Sequence, residues 1–193
     1  QPDDVITAAL ANEMPLMQRM GVNALRLYTG IPPRWIRYIH EKYGIYTILN
    51  HTVGRYGYNL DGVWVANVDY SSPRFRAAVK AELAALVEQF KGTPGLLMWM
   101  LGNESNYGLS WTSFEIEALP QGEREAAKAR HLYSLFGEII RDIKARDPLH
   151  PVAIANGDLQ YIDLIAQECQ GLDVMGANVY RGKSMGDLYD VVK

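Results

Sequence analysis

The sequence predicts an α/β protein built on a parallel sheet, and three observations support this. Strand-like and helix-like segments alternate along the chain, which is typical of parallel sheets. Residues 96–101 are continuously apolar, as expected for a strand buried on both faces. Two strand-to-helix connections, residues 51–70 and 104–122, are long, whereas the helix-to-strand connections are short. Long loops therefore collect at the carboxyl ends of the strands, where such folds build their sites.

The strands are short runs rich in branched and aromatic residues, bounded by turn residues. In the first strand, NALRLY, alternation places Arg26 on one face and the two leucines on the other. The leucines would face the surrounding helices, so Arg26 would point to the opposite side. We predict five strands in series, at residues 23–28, 45–50, 96–101, 151–156 and 173–180.

The helices follow from apolar residues at helical spacing and from their start and stop signals. Pro15 is expected to interrupt the first helix, since an internal proline removes a hydrogen bond. Pro32–Pro33 and Ser72–Pro73 are helix starts, and Gly92 is a predicted helix end. The predicted helices cover residues 4–20, 32–43, 73–91, 123–145, 160–168 and 184–192.

Composition excludes several classes of function. The chain has 193 residues, is 48% hydrophobic and carries a net charge of -3, which fits a globular domain with its own core. The sequence has no stripe of Lys and Arg residues, so we expect no nucleic-acid partner. No apolar run approaches the ~20 residues that a membrane helix needs, so we expect no membrane partner. The four histidines lack metal-ligand spacing and Cys169 is the single cysteine, so we expect no metal, no cofactor and no internal disulfide.

Asn103 and Glu104 follow directly after the apolar strand at 96–101. A carboxyl group in a low-dielectric cleft can hold a proton and transfer it to a leaving oxygen. Glycoside hydrolysis requires such an acid and a second carboxylate, and an amide can bind a sugar hydroxyl. The alternative is structural, because Asn and Glu are also common at helix N-caps and turns.

Other polar and aromatic residues lie near predicted strand ends. An inward Arg26 needs a partner, in a site or in a structural ion pair, and Tyr180 could bind a carboxylate or a sugar, or simply lie at a strand rim. Aromatic faces stack on sugar rings, although packing explains each aromatic residue equally well. The aromatic candidates are Tyr56, Tyr58, Trp64, Tyr70, Trp99, Tyr107 and Trp111.

Four segments, GVNALRLY, ILNH, GTPGLLMWMLGNES and DVMGANVY, together resemble the glycoside hydrolases of clan A, above all those of family 2. The resemblance implies that Glu104 is the general acid/base and that Asn103 binds the sugar 2-hydroxyl. It further implies that Arg26 steadies the nucleophile and that Tyr180 hydrogen-bonds to it. Trp99 matches the tryptophan of the family signature. We assign His51, Trp99 and Asn178 to substrate binding, together with Asn103.

The resemblance places strands two to six of an eight-stranded (β/α)8 TIM barrel in this chain. We therefore expect residues 1–193 to be the central portion of a single catalytic barrel, a fold that takes ~250 residues when complete. The first strand would precede Gln1. The seventh, which carries the nucleophile Glu in the family, and the eighth would follow Lys193. Within the chain, Glu115 and Glu117 fall in a predicted loop and Glu168 in a predicted helix.

The favoured interpretation is a retaining β-glycoside hydrolase with a carbohydrate substrate, inactive as this chain alone. The exposed edge strands would favour association into oligomers. A transglycosylase of the same clan and a non-catalytic carbohydrate-binding barrel are the alternatives. A doubly wound nucleotide binder would need a glycine-rich loop after its first strand, and residues 29–33 lack that spacing.

Overall fold

A computed structural model of the protein describes residues 1–109 and 117–192. The strands are β1 (Ala24–Tyr28), β2 (Tyr46–His51), β3 (Tyr58–Leu60), β4 (Val63–Val65), β5 (Leu96–Leu101), β6 (Val152–Gly157) and β7 (Val174–Asn178). The helices are α1 (Asp3–Arg19), α2 (Pro33–Tyr43), α3 (Pro73–Phe90), α4 (Gln121–Arg146), α5 (Ile162–Glu168) and α6 (Leu188–Val191), with a 3-10 helix at Ser105–Gly108.

Five strands form one parallel sheet in the order β1-β2-β5-β6-β7, with β1 and β7 at its edges. The five strands lie side by side in the same order in which they occur along the chain, as in a βα barrel. The register places Ile48 of β2 beside Arg26 on one side and Met98 on the other. The predicted parallel, sequential sheet is therefore confirmed.

The core lies between one face of the sheet and the helices. Leu49, Trp99, Leu101 and Ile154 point to this face and pack with buried residues of α2 to α5. A second cluster joins α1 and α2 to the start of β2 and to the outward side of β1. The opposite face presents the alternate residues of each strand, including Arg26. Alternation along the strands thus separates packing residues from the residues available for a site.

Two predicted details of the helices are wrong. Helix α1 continues through Pro15, because packing of Met14 in the second cluster stabilises a helix that lacks one backbone hydrogen bond. Helix α3 ends at Phe90 and is capped by Lys91, before the predicted stop at Gly92. The starts of α2 and α3 are confirmed: a proline opens each, and the Ser72 hydroxyl accepts a hydrogen bond from the Phe75 N–H at 3.4 Å.

The predicted loop 51–70 contains an antiparallel hairpin formed by β3 and β4. Its turn is Asp61–Gly62, and both residues have positive φ, 52° and 83°, as a tight hairpin turn requires. Strand β7 stops at Asn178, so Tyr180 lies just beyond it. Only Leu188–Val191 of the predicted sixth helix is helical. No helix among the described residues is long and apolar enough to cross a membrane.

Candidate active site

Arg26 bridges the carboxyl ends of β2 and β5. Its Nε donates to Asn50 Oδ1 at 2.6 Å, and its Nη2 donates to Asn103 Oδ1 at 2.6 Å. A further contact joins Nη2 to the Tyr28 hydroxyl at 3.4 Å. These partners explain how a half-buried guanidinium is tolerated on the inner side of the sheet. The arginine in turn fixes the carbonyl side of the Asn103 amide.

Asn50 completes this connection from within the sheet. Its side chain is fully buried, and its Nδ2 donates to the carbonyls of Met100 at 3.2 Å and Gly102 at 2.8 Å. It therefore ties Arg26 to the backbone that leads into the Asn103–Glu104 turn. Sequence reasoning missed Asn50, although a polar residue at an inward position of a buried strand was a usable signal.

Glu104 has an unusual backbone conformation, with φ at 55°, which costs a non-glycine residue about 1–2 kcal/mol. Three hydrogen bonds offset this cost. The Glu104 N–H donates to the Ala155 carbonyl of β6 at 2.9 Å, and its carbonyl accepts from Arg55 Nε at 2.9 Å and from the Tyr107 N–H at 3.0 Å. The turn that carries the carboxylate is thus held by strand β6 on one side and by the loop after β2 on the other.

The Glu104 carboxylate points towards β7. Its Oε1 accepts hydrogen bonds from Asn178 Nδ2 at 3.0 Å and from the Tyr180 hydroxyl. The hydrogen bond to Glu104 raises the pKa of Tyr180, and burial, with a smaller contribution from the Glu104 charge, raises that of Tyr107. No hydrogen bond from a described residue reaches Oε2. That oxygen can therefore face a ligand.

The loop after β2 contacts Asn103 and Glu104 through Tyr56 and Arg55. The Tyr56 hydroxyl accepts a hydrogen bond from Asn103 Nδ2, and the Arg55 guanidinium lies 5.1 Å from the centre of the Tyr56 ring. Asn103 therefore has Arg26 on its carbonyl and Tyr56 on its amino group. The pattern of strand ends did not identify Arg55, because its part depends on the path of a long loop.

Four predicted site residues lie together at the strand ends: Arg26 contacts Asn103, and Tyr180 contacts the adjacent Glu104. Asn178 joins them through its contact with Glu104. The contacts of Arg26 and Tyr180 with a nucleophile, which the resemblance implies, stay a prediction. Of the aromatic candidates, Tyr56 and Tyr107 contact this network. Trp111 and Glu115 lie outside the described residues.

The structure places His51 and Trp99 elsewhere. Trp99 is 1% exposed, and its indole N–H donates to Asp147 Oδ2 at 2.9 Å in the core between sheet and helices. His51 is also buried: its Nδ1 accepts from the Val53 N–H, and its Nε2 lies 3.3 Å from Glu82 on α3. Neither reaches the network around Glu104, because alternation turns both towards the helices. We therefore drop both from the expected substrate contacts.

A second carboxylate near this end of the sheet is already engaged. Asp158 is bound by Arg181 through two hydrogen bonds of 2.9 Å and 2.5 Å, and this pairing lowers the Asp158 pKa. Across the described part of the chain, no group of three His, Cys, Asp or Glu side chains is arranged to hold a metal ion. The chemistry of the network therefore centres on Glu104.

The protein is thus a βα-barrel domain with a polar network at the carboxyl ends of its strands. It belongs to the glycosyl hydrolases family 2, because residues 5–181 match the model described as "Glycosyl hydrolases family 2, TIM barrel domain". The described sheet is accordingly part of a (β/α)8 barrel, and the family is one of glycosidases.

One related sequence agrees with this assignment, and two solved structures share the fold. Over 102 residues the chain is 31% identical to a β-galactosidase of Arthrobacter sp. (strain B7), which covers 52% of this chain and 10% of that protein. A structure of a Bacteroides uniformis β-glucuronidase 2 calcium binding mutant superposes with a TM-score of 0.65 at 16% identity, over 93% of this chain and 19% of that one. A structure of the β-galactosidase of Bacillus circulans sp. alkalophilus superposes with a TM-score of 0.62 at 16% identity, over 96% of this chain and 39% of that one. The chain therefore spans well under half of these relatives.

Proposed function

We propose that the protein is a retaining β-glycoside hydrolase in which Glu104 is the general acid/base. The observation that carries the proposal is the Glu104 carboxylate, which is fixed through Oε1 at the carboxyl ends of the strands while Oε2 has no described partner. A carboxyl group placed in this way can transfer a proton to a glycosidic oxygen. The family's known chemistry supplies the same role for this position.

In the proposed first step, Glu104 protonates the leaving oxygen while a nucleophilic Glu attacks the anomeric carbon and forms a glycosyl-enzyme. We infer that this nucleophile follows Lys193, on the next barrel strand, about 5 Å from Glu104 as retention requires. In the second step Glu104 accepts a proton from water, which attacks the same carbon. Asn103 is assigned to bind the sugar 2-hydroxyl, and Arg26 holds the Asn103 side chain in place through its hydrogen bond.

The test compares two substitutions in the full-length protein. Glu104→Gln removes the proton donor, and Glu117→Gln, an exposed residue of the following loop, is the matched control. Alkyl β-galactosides and β-glucuronides should lose ~10²–10⁴-fold in kcat/KM with Glu104→Gln. Aryl glycosides with acidic leaving groups should lose much less, since those leaving groups need no proton. Glu117→Gln should leave both substrate classes unchanged.

Two other outcomes would change the assignment. A full-length protein that binds glycosides without turnover would indicate the carbohydrate-binding alternative, and transfer to added sugar acceptors in place of water would indicate a transglycosylase. Residues 1–193 alone should be inactive, because the proposed nucleophile follows Lys193. We further propose that the edges of β1 and β7 are covered by other barrel strands in the whole protein. Exposed in the chain alone, they would favour association.

A further inference from the structure

The β3–β4 hairpin presents one exposed tryptophan. Trp64 is 63% exposed, and one edge of its indole rests on the backbone of Gly57. A Cβ at Gly57 would lie 2.4 Å from Trp64 Cζ2 and 2.7 Å from Cε2, so no side chain fits there. Gly57 also has φ at 104°, which favours glycine. The position of the ring is therefore set by the backbone beneath it, while most of its surface faces solvent.

The hairpin is anchored to α3 and does not depend on a ligand for its shape. Asp61, in the hairpin turn, forms a salt bridge with Arg74 of α3. The Tyr58 ring packs edge-on against Phe75, with 5.2 Å between ring centres. Burial, with added contributions from Glu82, raises the Tyr58 pKa well above its usual range, so its hydroxyl stays protonated. A preorganised surface of this kind binds with little ordering cost.

The exposed ring is connected to the candidate active site through Gly57 and Tyr56. Tyr56 precedes Gly57 in the chain, is 53% exposed, and its hydroxyl accepts a hydrogen bond from Asn103. Trp64, resting on Gly57, is thus separated from Asn103 by the length of one tyrosine side chain and one Cα–Cα step of about 3.8 Å. This path is short enough for one ligand of two sugar rings to contact both Asn103 and Trp64.

The residues beside Trp64 fit a sugar ring. Asn59 lies directly opposite Trp64 across the hairpin, so the two side chains share one face, and Asn59 is exposed. Val63 and Val65 point to the other face. An aromatic plane stacks on the C–H groups of a pyranose, and an amide can bind its hydroxyls. A protein partner would require a broader apolar surface than one tryptophan beside an asparagine.

We propose that Trp64, Asn59 and Tyr56 form a second subsite, which binds the ring next to the one held at Glu104. The substrate class is then an oligosaccharide or polysaccharide with at least two contacted rings. This inference rests on the proposed function, because it defines the subsite by its distance from the reacting ring.

The experiment uses the full-length protein and two substrates of the same sugar: a β-glycosyl fluoride, which has a single ring, and the β-linked trisaccharide. Trp64→Ala should lower kcat/KM for the trisaccharide about two- to twelvefold, the range that follows from 0.5–1.5 kcal/mol for aromatic stacking. The fluoride should change less than about twofold. Trp64→Tyr should restore much of the trisaccharide activity, and Val63→Ala, which alters the opposite face, is the control.

The proposal is overturned if Trp64→Ala affects neither substrate or affects both equally, or if Val63→Ala reproduces its effect. Wild-type protein that hydrolyses neither substrate would instead contradict the proposed function. In that case calorimetric binding of the trisaccharide and the monosaccharide decides the subsite separately. A subsite at Trp64 requires that Trp64→Ala weaken binding of the trisaccharide selectively, and equal binding by both proteins would exclude it.

Discussion

Asn103 and Glu104 are adjacent in the chain, yet two different regions of the sheet hold them. The Asn103 amide is fixed from β1 and β2, where Arg26 and the fully buried Asn50 form its support. The Glu104 carboxylate is fixed from the other edge, by Asn178 of β7 and by Tyr180, which is 76% exposed.

The difference between these regions separates structure from chemistry. The Arg26–Asn50 region combines the half-buried Arg26 with the fully buried Asn50. Loss of one partner therefore leaves polar groups that have little access to water unpaired, and it affects stability as well as activity. Water can take the place of the exposed Tyr180 hydroxyl. Loss of this hydroxyl should therefore change the hydrogen bonding of the Glu104 carboxylate and have little effect on stability. Substitutions in the two regions should therefore differ in kind, and the following predictions for the full-length protein test this.

The largest effect is expected for Arg26→Met. It removes both 2.6 Å hydrogen bonds and leaves the oxygens of two amides without a donor. We expect a stability loss of about 1.5–3 kcal/mol, since hydrogen bonds to a charged group are of that strength, together with at least ~10-fold lower kcat/KM. Arg26→Lys should recover only part of both, because an ammonium cannot reproduce the guanidinium's planar geometry. Urea unfolding and kinetics measure the two effects. A fully active Arg26→Met protein would contradict the account.

Asn50→Ala should have an intermediate effect that falls mainly on stability. The substitution leaves the Met100 and Gly102 carbonyls without their side-chain donor, at a cost of about 1–3 kcal/mol. Asn67→Ala, at an exposed position of the loop after the hairpin, should change the free energy of unfolding by less than ~0.5 kcal/mol. Equal unfolding curves for the two variants would show that Asn50 does not support the site.

Tyr180→Phe should have the smallest effect and should leave stability within ~0.5 kcal/mol of the wild type. The wild-type hydroxyl remains a donor at high pH, because its hydrogen bond to Glu104 raises the Tyr180 pKa. Its loss should lower kcat severalfold and change the pH dependence of kcat/KM, measured on an alkyl glycoside. A large fall in the unfolding midpoint would place Tyr180 with the buried region and remove the contrast.

Much of the fold follows from apolar periodicity. Strand β5 has the predicted bounds at both ends, because a continuous apolar run between turn residues allows one placement. The hairpin was missed because each of its strands has three residues, although Asp61–Gly62 between apolar segments is a strong hairpin signal. The predicted interruption of α1 at Pro15 was wrong because tertiary packing, which the local sequence does not encode, keeps the helix continuous there.

The site was predictable where it depends on strand ends and less so where it depends on side-chain direction. Neighbouring residues of a strand face opposite sides, so if Asn50 points inward, His51 must point to the helices, and Trp99 likewise faces away from the network. Proximity to a strand end was therefore insufficient. Arg55 and Tyr56 reach the site through the path of a long loop, which follows from the hairpin's packing on α3.

The central claim is that Glu104 is the acid/base of a retaining mechanism, and azide tests it most directly. In the full-length protein, Glu104→Ala leaves the second step without a base, so on an aryl β-glycoside with a good leaving group the glycosyl-enzyme should accumulate. Azide needs no base to attack, so it should restore turnover and give a β-glycosyl azide. An α-glycosyl azide would identify Glu104 as the nucleophile instead, and no response to azide would contradict the acid/base assignment.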